Sequence, residues 1–197
     1  AYLDGVHPSV VMTRGYYTYV YAAAYTWDGT DLKEQWLSTN TPTEENGGTG
    51  CTVKYADGTS KNNTNKTLYA QGAHSVSVAD VDNDGYDEVI YGSCIVDHDG
   101  SILNRTGHGH GDALHVGDFD NDGYQEVFST HEGQSANWGA ELRRWDGTIV
   151  KAIGRSEDVG RGVMDNVIGS KSYSEFWSTA DGNLYNDKGE KILGERI

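Results

Sequence analysis

The stretch that decides the fold is Asp80-Val-Asp82-Asn-Asp84-Gly85-Tyr-Asp-Glu88, which returns as Asp118-Phe-Asp120-Asn-Asp122-Gly123-Tyr-Gln-Glu126. Each copy has carboxylates at loop positions 1, 3, 5 and 9 and glycine at position 6. In such a loop alternate side chains point inward, the glycine permits the tight turn, and oxygen atoms are the ligands that Ca²⁺ takes. The sequence therefore predicts two calcium sites, with ligands at Asp80, Asp82, Asp84 and Glu88 and at Asp118, Asp120, Asp122 and Glu126.

The residues around the first loop have the pattern of strands. Ser75-Val76-Ser77-Val78-Ala79 precedes the loop and Val89-Ile90-Tyr91 follows it, and this β-branched, alternating pattern is typical of strands. An EF-hand would need a glutamate at position 12 and a helix on each side. We therefore expect turns that join two strands. A solvated acidic turn without metal is the alternative, but a matched duplicate disfavours it.

Hairpins with a glycine turn recur along the chain, at Asp28-Gly29, Asp99-Gly100, Asp146-Gly147 and Lys188-Gly189. Short strands that repeat about every 40–50 residues are typical of propeller blades or solenoid coils. The predicted fold class is all-β, a calcium-stabilised β-propeller of which the chain holds about four blades. Residues 1–197 are predicted to be part of one such domain.

Two segments depart from the repeat. Residues 39–72 are rich in Asn, Thr, Gly and Lys, and this composition predicts a long surface loop. Residues 165–175 resemble a calcium loop in which Ile168, Gly169 and Ser170 replace the acidic positions. We expect no metal there.

Composition excludes several classes of partner. The formal net charge of −15 opposes binding to nucleic acid or to an anionic membrane, because both require a basic surface. No apolar run is long enough for a transmembrane helix. Cys51 and Cys94 do not have the spacing of a metal site, and in a secreted protein they are candidates for a disulfide.

A second kind of metal centre is predicted from histidines. His74 and Asp112 stand at the same position, six residues before each calcium loop, and His110 lies beside Asp112. Loops of adjacent blades converge on one face, which would gather these side chains. The alternative is that the histidines are satisfied by backbone carbonyls.

Other residues are candidates for contact with substrate. Arg161 stands between Gly160 and Gly162, which suggests an anion clamp or a proton-transfer group, with a surface salt bridge as the alternative. The run Arg14-Gly-Tyr-Tyr17 is a candidate surface for stacking on carbohydrate, although aromatic stripes also pack between blades.

A series of collinear motifs resembles the rhamnogalacturonan lyases of polysaccharide lyase family eleven. The motifs are Asp4-Gly-Val-His-Pro-Ser9, Arg14-Gly-Tyr-Tyr17, His74-Ser-Val-Ser-Val-Ala-Asp-Val-Asp82, Asp97-His-Asp-Gly100, Gly109-His-Gly-Asp112, His131-Glu132 and Asp158-Val-Gly-Arg-Gly162. They run through nearly the whole chain, so the resemblance is more specific than the calcium loops alone.

The resemblance implies an eight-bladed, calcium-binding propeller in a secreted or cell-surface enzyme. Such an enzyme cleaves rhamnogalacturonan I, the rhamnose–galacturonate backbone of pectin, by β-elimination. It implies an active-site Ca²⁺ on His74, His110 and Asp112, with Glu132 as a further ligand, and places Arg14, Tyr17, Glu132 and Asp158 among the substrate-binding residues.

Two points about this implied enzyme stay open. Arg161 is either the base or a carboxylate clamp. The alternative bases are a Lys or His beyond this chain and, if it is not a ligand, His110. Imidazole is an unusual ligand for a hard cation, which leaves the identity of the metal open. The remaining blades are the expected partner of this chain. A further alternative is that the isolated fragment is an inactive truncation of the lyase. The competing class is a non-catalytic calcium-binding propeller that binds glycans or proteins.

Overall fold

The structure is a computed structural model that describes residues 1–40, 50–64, 67–133, 138–154, 158–169 and 172–193. Seventeen strands and no helix are found in these ranges. They accordingly contain no helix of the length and apolar character needed to cross a membrane. The predicted all-β fold class is confirmed.

The strands form four sheets, and every pair of neighbours is antiparallel and consecutive in the chain. The first sheet consists of β1 (Ser9–Arg14), β2 (Tyr21–Trp27), β3 (Leu32–Asn40), β4 (Gly50–Tyr55) and β5 (Ser60–Thr64). The second consists of β6 (Ser77–Ala79), β7 (Glu88–Tyr91), β8 (Cys94–Val96) and β9 (Ile102–Arg105). The third consists of β10 (Leu114–Gly117), β11 (Glu126–Thr130), β12 (Ala140–Arg144) and β13 (Ile149–Ile153). The fourth consists of β14 (Gly162–Asp165), β15 (Glu175–Ser178), β16 (Leu184–Asn186) and β17 (Lys191–Leu193).

The last three sheets repeat one plan. Each acidic or acidic-like loop joins the first strand to the second, and the glutamate that ends the loop pairs with the last residue of the first strand: Glu88 with Ala79, Glu126 with Gly117 and Glu175 with Asp165. The first strands β6, β10 and β14 lie against one another in order. The sequence repeat is therefore a repeat of whole four-stranded sheets.

The prediction of a long surface loop over 39–72 is wrong for the described part of that segment. It contains β4 and β5, joined by a turn at Asp57-Gly58. The amide of Thr59 donates to Oδ1 of Asp57 over 2.8 Å, as the amide of Thr148 does to Asp146 over 2.8 Å. The polar composition hid a hairpin because both faces of β5 carry polar residues, and residues 41–49 lie outside the described ranges.

Three apolar clusters fill the spaces between successive sheets. Alternate residues of the second strand of a sheet supply different clusters, because successive side chains of a strand point to opposite faces. Val89 packs toward the first sheet and Ile90 toward the third. Val127 packs toward the second sheet and Phe128 toward the fourth. All four side chains are fully buried, and burying each stabilises the fold by about 1.5–3 kcal/mol.

The two cysteines are free thiols buried between the first and second sheets, so the candidate disulfide is not formed. The Cys51 thiol lies 3.0 Å from Oγ of Ser38, and the Cys94 thiol donates to the carbonyl of Tyr91 over 3.2 Å. Burial raises the pKa of Cys94 to about 12, and this keeps the thiol protonated and unreactive.

Polar links join successive repeats at the level of the acidic loops. The side-chain amide of Asn83 donates to the carbonyl of Gly123 over 3.1 Å, and that of Asn121 donates to the carbonyl of Ser172 over 3.1 Å. Both asparagines adopt a positive φ, 62° and 61°, a conformation that asparagine tolerates better than most residues. Each loop is therefore anchored to the next.

Candidate metal centre and cleft

The candidate centre lies where the chain enters the second and third sheets. A parallel bridge pairs Ala73 with Gly111, and the amide of His74 donates to the carbonyl of Gly111 over 3.2 Å. The two segments therefore run side by side just before β6 and β10. This contact brings together His74 and Asp112, which stand at equivalent positions of the repeat.

Four predicted metal-binding residues form one cluster. His74, His110, Asp112 and Glu132 each offer a ligand atom, and these atoms lie within 4.8 Å of one another. Nε2 of His74 is 3.4 Å from Oδ1 of Asp112, and Nε2 of His110 is 3.5 Å from Oε2 of Glu132. The cluster opens into a cavity of about 530 Å³, whose lining includes His74, Asp112, Glu132 and Arg161.

The tautomer and orientation of the His110 imidazole suit a metal ligand. Its Nδ1 lies 2.9 Å from the carbonyl of Gly72, and this requires Nδ1 to carry the proton and leaves the lone pair on Nε2. Nε2 is buried and accepts no hydrogen bond from any described residue. Metal-binding histidines in proteins are held in the same way by a carbonyl or carboxylate on the other nitrogen. The residues present therefore fit a bound cation.

The carboxylates of the cluster repel each other unless a cation lies between them. Burial, together with the nearby charge of Glu132, raises the pKa of Asp112. The hydroxyl of Tyr17 donates to Oε2 of Glu132 over 2.9 Å, and this hydrogen bond raises the pKa of Tyr17. A divalent cation would neutralise both acids at once.

Aromatic rings cover the histidines. Tyr16 lies with its ring centroid 4.6 Å from that of His110 and 4.4 Å from that of His74. Tyr17 meets His110 edge-on at 4.6 Å. Both tyrosines follow β1, so the first sheet restricts water on one side of the cluster.

Arg161 lies at the mouth of the cavity. Its Nη1 donates to the carbonyl of Gly160 over 2.7 Å and lies 3.8 Å from Oδ2 of Asp112. The side chain is 79% exposed, so most of the guanidinium is free to meet a ligand. The backbone approaches Asp112 closely here, because a Cβ on Gly160 would lie 2.8 Å from Oδ2 of Asp112.

Two residues predicted to bind substrate lie outside this cavity. Asp158 is exposed and is not among the residues that line it. Arg14 lines a separate cavity with Gly15, Tyr19 and Tyr21. Of the four predicted substrate-binding residues, only Glu132 belongs to the cluster, and Tyr17 contacts it through its hydrogen bond to Glu132.

The two acidic loops have the same internal geometry. In the first, the amide of Asp84 donates to Asp80 over 3.0 Å and the amide of Val81 donates to Glu88 over 2.9 Å. The second has the corresponding bonds, from Asp122 to Asp118 over 3.0 Å and from Phe119 to Glu126 over 2.9 Å. The loops thus turn their carboxylates inward, as a calcium loop does.

The glutamates that end the loops are buried and each keeps an unpartnered oxygen. Oε1 of Glu88 and Oε1 of Glu126 have no hydrogen-bond partner among the described residues. Burial raises the pKa of Glu88 to about 8 and that of Glu126 to about 7. A buried, unpartnered carboxylate oxygen is costly without a cation, so both loops fit a calcium ion.

The third loop keeps the glutamate without the other acids. Oε2 of Glu175 accepts hydrogen bonds from the amides of Val167, over 2.9 Å, and Ile168, over 3.1 Å. Its Oε1 is buried and unpartnered, like those of Glu88 and Glu126. Ile168 occupies the position of an acidic ligand, and Ser170 lies outside the described residues.

Sequence reasoning missed a second cluster, which lies beside the first. His108, His131 and Glu141 bring ligand-type atoms within 4.8 Å of one another. The carboxylate of Glu141 is 2.8 Å from Nδ1 of His108 and 2.9 Å from Nε of Arg143. The available signal was the spacing of Glu141 and Arg143, since residues two apart in a strand share one face.

Comparison with known proteins supports the resemblance. The structure is similar to that of the rhamnogalacturonan lyase PL11 of Bacillus licheniformis, with a TM-score of 0.82 at 39% identity over 100% of this chain and 30% of that chain. The sequence is 42% identical over 202 residues to the rhamnogalacturonan exolyase YesX of Bacillus subtilis (strain 168), covering 98% of this chain and 30% of the relative. It is 40% identical over 194 residues to the endolyase YesW of the same organism, covering 98% and 28%.

These likenesses assign the chain to a class, the rhamnogalacturonan lyases. The chain belongs to rhamnogalacturonan lyase family 11, whose C-terminal domain matches residues 1–197. It spans less than a third of the length of the curated relatives that it matches.

Proposed function

We propose that this chain carries the divalent-cation centre of a lyase that cleaves the rhamnose–galacturonate backbone of pectin by β-elimination. The observation that carries the proposal is the cluster of His74, His110, Asp112 and Glu132, with Arg161 at the mouth of its cavity. The names of the relatives support this substrate class.

In the proposed reaction a base supplied by another part of the natural polypeptide takes the proton on C5 of galacturonate. A double bond forms between C4 and C5, the C4–O bond breaks, and the 4-linked rhamnose leaves with its oxygen protonated by solvent. The charge that develops lies on the uronate carboxylate, and Ca²⁺ held by the four-residue cluster would stabilise it. Arg161 binds the same carboxylate, because its guanidinium is largely exposed toward the cavity. Arginine holds its proton at neutral pH, and we therefore assign Arg161 to binding charge.

We assign His110 to metal binding and not to proton removal. Its Nδ1 is occupied by the carbonyl of Gly72 and its Nε2 points to Glu132. Tyr17 positions Glu132 through the 2.9 Å hydrogen bond. Tyr16 covers both imidazoles and restricts competition by water for the ligand positions.

We further propose that the four sheets are blades of a longer β-propeller, with calcium in both acidic loops. Support comes from the repeated four-stranded plan and from the contact of β6, β10 and β14 along one side. The remaining blades are the proposed partner, and an extracellular location fits a polysaccharide substrate of the plant cell wall.

The proposed activity is tested with the natural polypeptide that contains this chain. Ultraviolet absorbance of the unsaturated uronate is followed during incubation with rhamnogalacturonan I, with Ca²⁺ or with a chelator. We expect activity that needs Ca²⁺ and that falls about 10²–10³-fold in Arg161→Ala, the usual cost of a lost charge-stabilising group. Lys54→Ala is the matched control, because Lys54 is an exposed cation far along the first sheet, on β4.

The alternative function is a non-catalytic propeller that binds glycans or proteins. It predicts binding of rhamnogalacturonan I without any rise in absorbance, in a protein that is folded and loaded with Ca²⁺. That result would overturn the lyase proposal. Replacing Ca²⁺ with Zn²⁺ or Mn²⁺ in the same assay tests the metal, since two imidazoles also suit these ions.

A further inference from the structure

A second cavity lies beside the metal centre and shares no lining residue with the first. It measures about 420 Å³ and is lined by Arg14, Gly15, Tyr19 and Tyr21. The segment between Gly15 and Tyr19 carries Tyr16 and Tyr17, the two tyrosines of the metal centre. The turn that lines the second cavity therefore also carries the two tyrosines that contact the candidate metal-binding residues.

The turn is held rigidly. Arg14 and Tyr21 are paired residues at the end of the β1–β2 hairpin, so their side chains start about 4.5–5.5 Å apart at Cβ. Gly15 has a φ of 77°, and a Cβ there would lie 1.9 Å from the carbonyl oxygen of Tyr19. The hydroxyl of Tyr91 donates to the carbonyl of Gly15 over 2.8 Å, tying the turn to the second sheet. A ligand would meet a preformed surface.

The chemistry of the lining points to an acidic sugar. No carboxylate among the described residues pairs with Arg14, although the chain has a net charge of −15. A guanidinium is a planar, permanently charged donor that matches a carboxylate in two parallel hydrogen bonds. The side chains of Tyr19 and Tyr21 are 46% and 38% exposed and present apolar ring surface with a polar tip.

We propose that this cavity is a second subsite for an acidic sugar, in which Arg14 binds a uronate carboxylate of the same polysaccharide and Tyr19 and Tyr21 contact the ring. The proposal rests on the proposed function and deepens it. Arg14 and Tyr17 are three positions apart in the chain, a span of at most about 10 Å when extended. One polymer can therefore occupy both cavities, with the second one determining how long a substrate must be to bind fully.

The test separates binding from cleavage in the natural polypeptide that contains this chain. Affinity for rhamnogalacturonan I is measured calorimetrically, and elimination is followed by absorbance with both the polymer and its shortest cleaved oligosaccharide. Four variants are compared with the unmodified protein: Arg14→Gln, Arg14→Lys, Tyr19→Ala and Tyr19→Phe. Lys54→Gln is the control, since it removes the same charge from an exposed position of the same sheet.

We expect Arg14→Gln to weaken polymer binding and raise KM about tenfold, the loss of roughly one charge-assisted hydrogen-bonded pair. Turnover of bound polymer and the KM of the short oligosaccharide stay unchanged. Arg14→Lys restores part of the affinity because the charge remains, and Tyr19→Phe restores more than Tyr19→Ala because the ring remains. Lys54→Gln behaves as the unmodified protein.

Several outcomes overturn the subsite. One is an unchanged KM for the polymer in Arg14→Gln. This includes the result that Arg14→Gln lowers only the melting temperature, which would show that other parts of the polypeptide cover the cavity. Another is an equal effect of Lys54→Gln, which would show a general effect of charge. If Arg14 governs polymer binding but no unsaturated product forms, the subsite stands and the lyase proposal alone fails.

Discussion

The guanidinium of Arg143 lies with Nε 2.9 Å from Oε1 of Glu141, and neither side chain has measurable solvent exposure. The indole of Trp138 donates to the other oxygen of Glu141 over 2.6 Å. Arg143 also donates to the carbonyl of Gly92 in the second sheet over 2.9 Å. This buried pair ties the third sheet to the second beside the candidate metal centre.

Removing Glu141 should destabilise the fold strongly. Glu141→Ala leaves the charge of Arg143 buried and unpaired, and losing one partner of a buried pair costs about 3–5 kcal/mol. The lowered free energy of unfolding is measured by denaturant titration of the natural polypeptide. Glu34→Ala, an exposed carboxylate on β3, is the control and should change stability by less than about 0.5 kcal/mol. Equal losses in the two variants would contradict a structural role of the pair.

Adding one methyl group at Gly160 should weaken metal binding without unfolding the protein. The Cβ of Gly160→Ala would lie 2.8 Å from Oδ2 of Asp112, so the carboxylate must move away from the cluster. We expect the cation to bind at least tenfold more weakly, because losing the residues that orient a metal ligand typically costs that much affinity. The affinity is measured by calorimetry. Gly154→Ala is the control, because nothing lies within 4 Å of its added Cβ. Unchanged affinity in Gly160→Ala would remove Asp112 from the ligand set.

The hydroxyl of Tyr17 should support the cation through Glu132. Tyr17→Phe removes the 2.9 Å hydrogen bond that orients this carboxylate, and we expect about tenfold weaker cation binding. Tyr16→Phe keeps the ring that stacks on His110 and should bind as before. A loss of the same size in Tyr16→Phe would indicate that the turn, and not the hydrogen bond, is responsible.

The stability of the metal-free protein should fall as pH rises from about 5 to 8. The pKa of Glu88 is raised from 4.5 to about 8 and that of Glu126 to about 7. Between these values and 4.5 the folded state binds more protons than the unfolded chain, so raising the pH lowers the free energy of unfolding. Bound Ca²⁺ favours the ionised carboxylates, and its stabilising effect should therefore grow over the same range.

This pH dependence is measured as the melting temperature with chelator and with Ca²⁺. Glu88→Gln should flatten the slope in chelator, since it removes the group with the larger shift. A slope that persists unchanged in Glu88→Gln would assign the effect to other groups.

Two acidic residues of the first loop, Asp82 and Asp87, should differ in their effect on calcium binding. Asp82→Asn removes a proposed ligand and should lose one bound Ca²⁺, along with about 2.7 kcal/mol of stabilisation at a calcium concentration 100 times the dissociation constant. Asp87→Asn removes the same charge from the same loop, but Asp87 is not a proposed ligand. Its Oδ2 accepts a hydrogen bond from the amide of Tyr2 over 2.6 Å. This variant should keep the ion, and counting bound calcium in the two variants checks the assignment.

Local patterns in the sequence carried most of the prediction of the fold. The acidic loops and the Asp-Gly turns are short, and each forms hydrogen bonds within a few residues, as Thr148 does with Asp146. Such contacts hardly depend on the rest of the protein. The hairpin at Asp57-Gly58 has the same turn signal and was missed because its second strand, β5, lacks an apolar face.

All four residues of the candidate metal cluster were named from the sequence, because the repeat made His74 and Asp112 equivalent, His110 lies beside Asp112, and the family resemblance added Glu132. The structure brings these four together. The positions of Arg14 and Asp158 were not predictable in the same way. Arg14 lies only three residues from Tyr17, yet the direction of the hairpin turn sends it to a different cavity.

The sequence by itself determined the repeated unit, the residues that turn inward in each acidic loop and the membership of the family, because all three are written in short, collinear motifs. Only the tertiary structure decided which residues of different repeats meet. The pairing of Glu141 with His108, the tautomer of His110 and the cavity at Arg14 depend on how rigid sheets pack side by side. Packing of this kind is set by all the apolar contacts between sheets together, and no single motif encodes it.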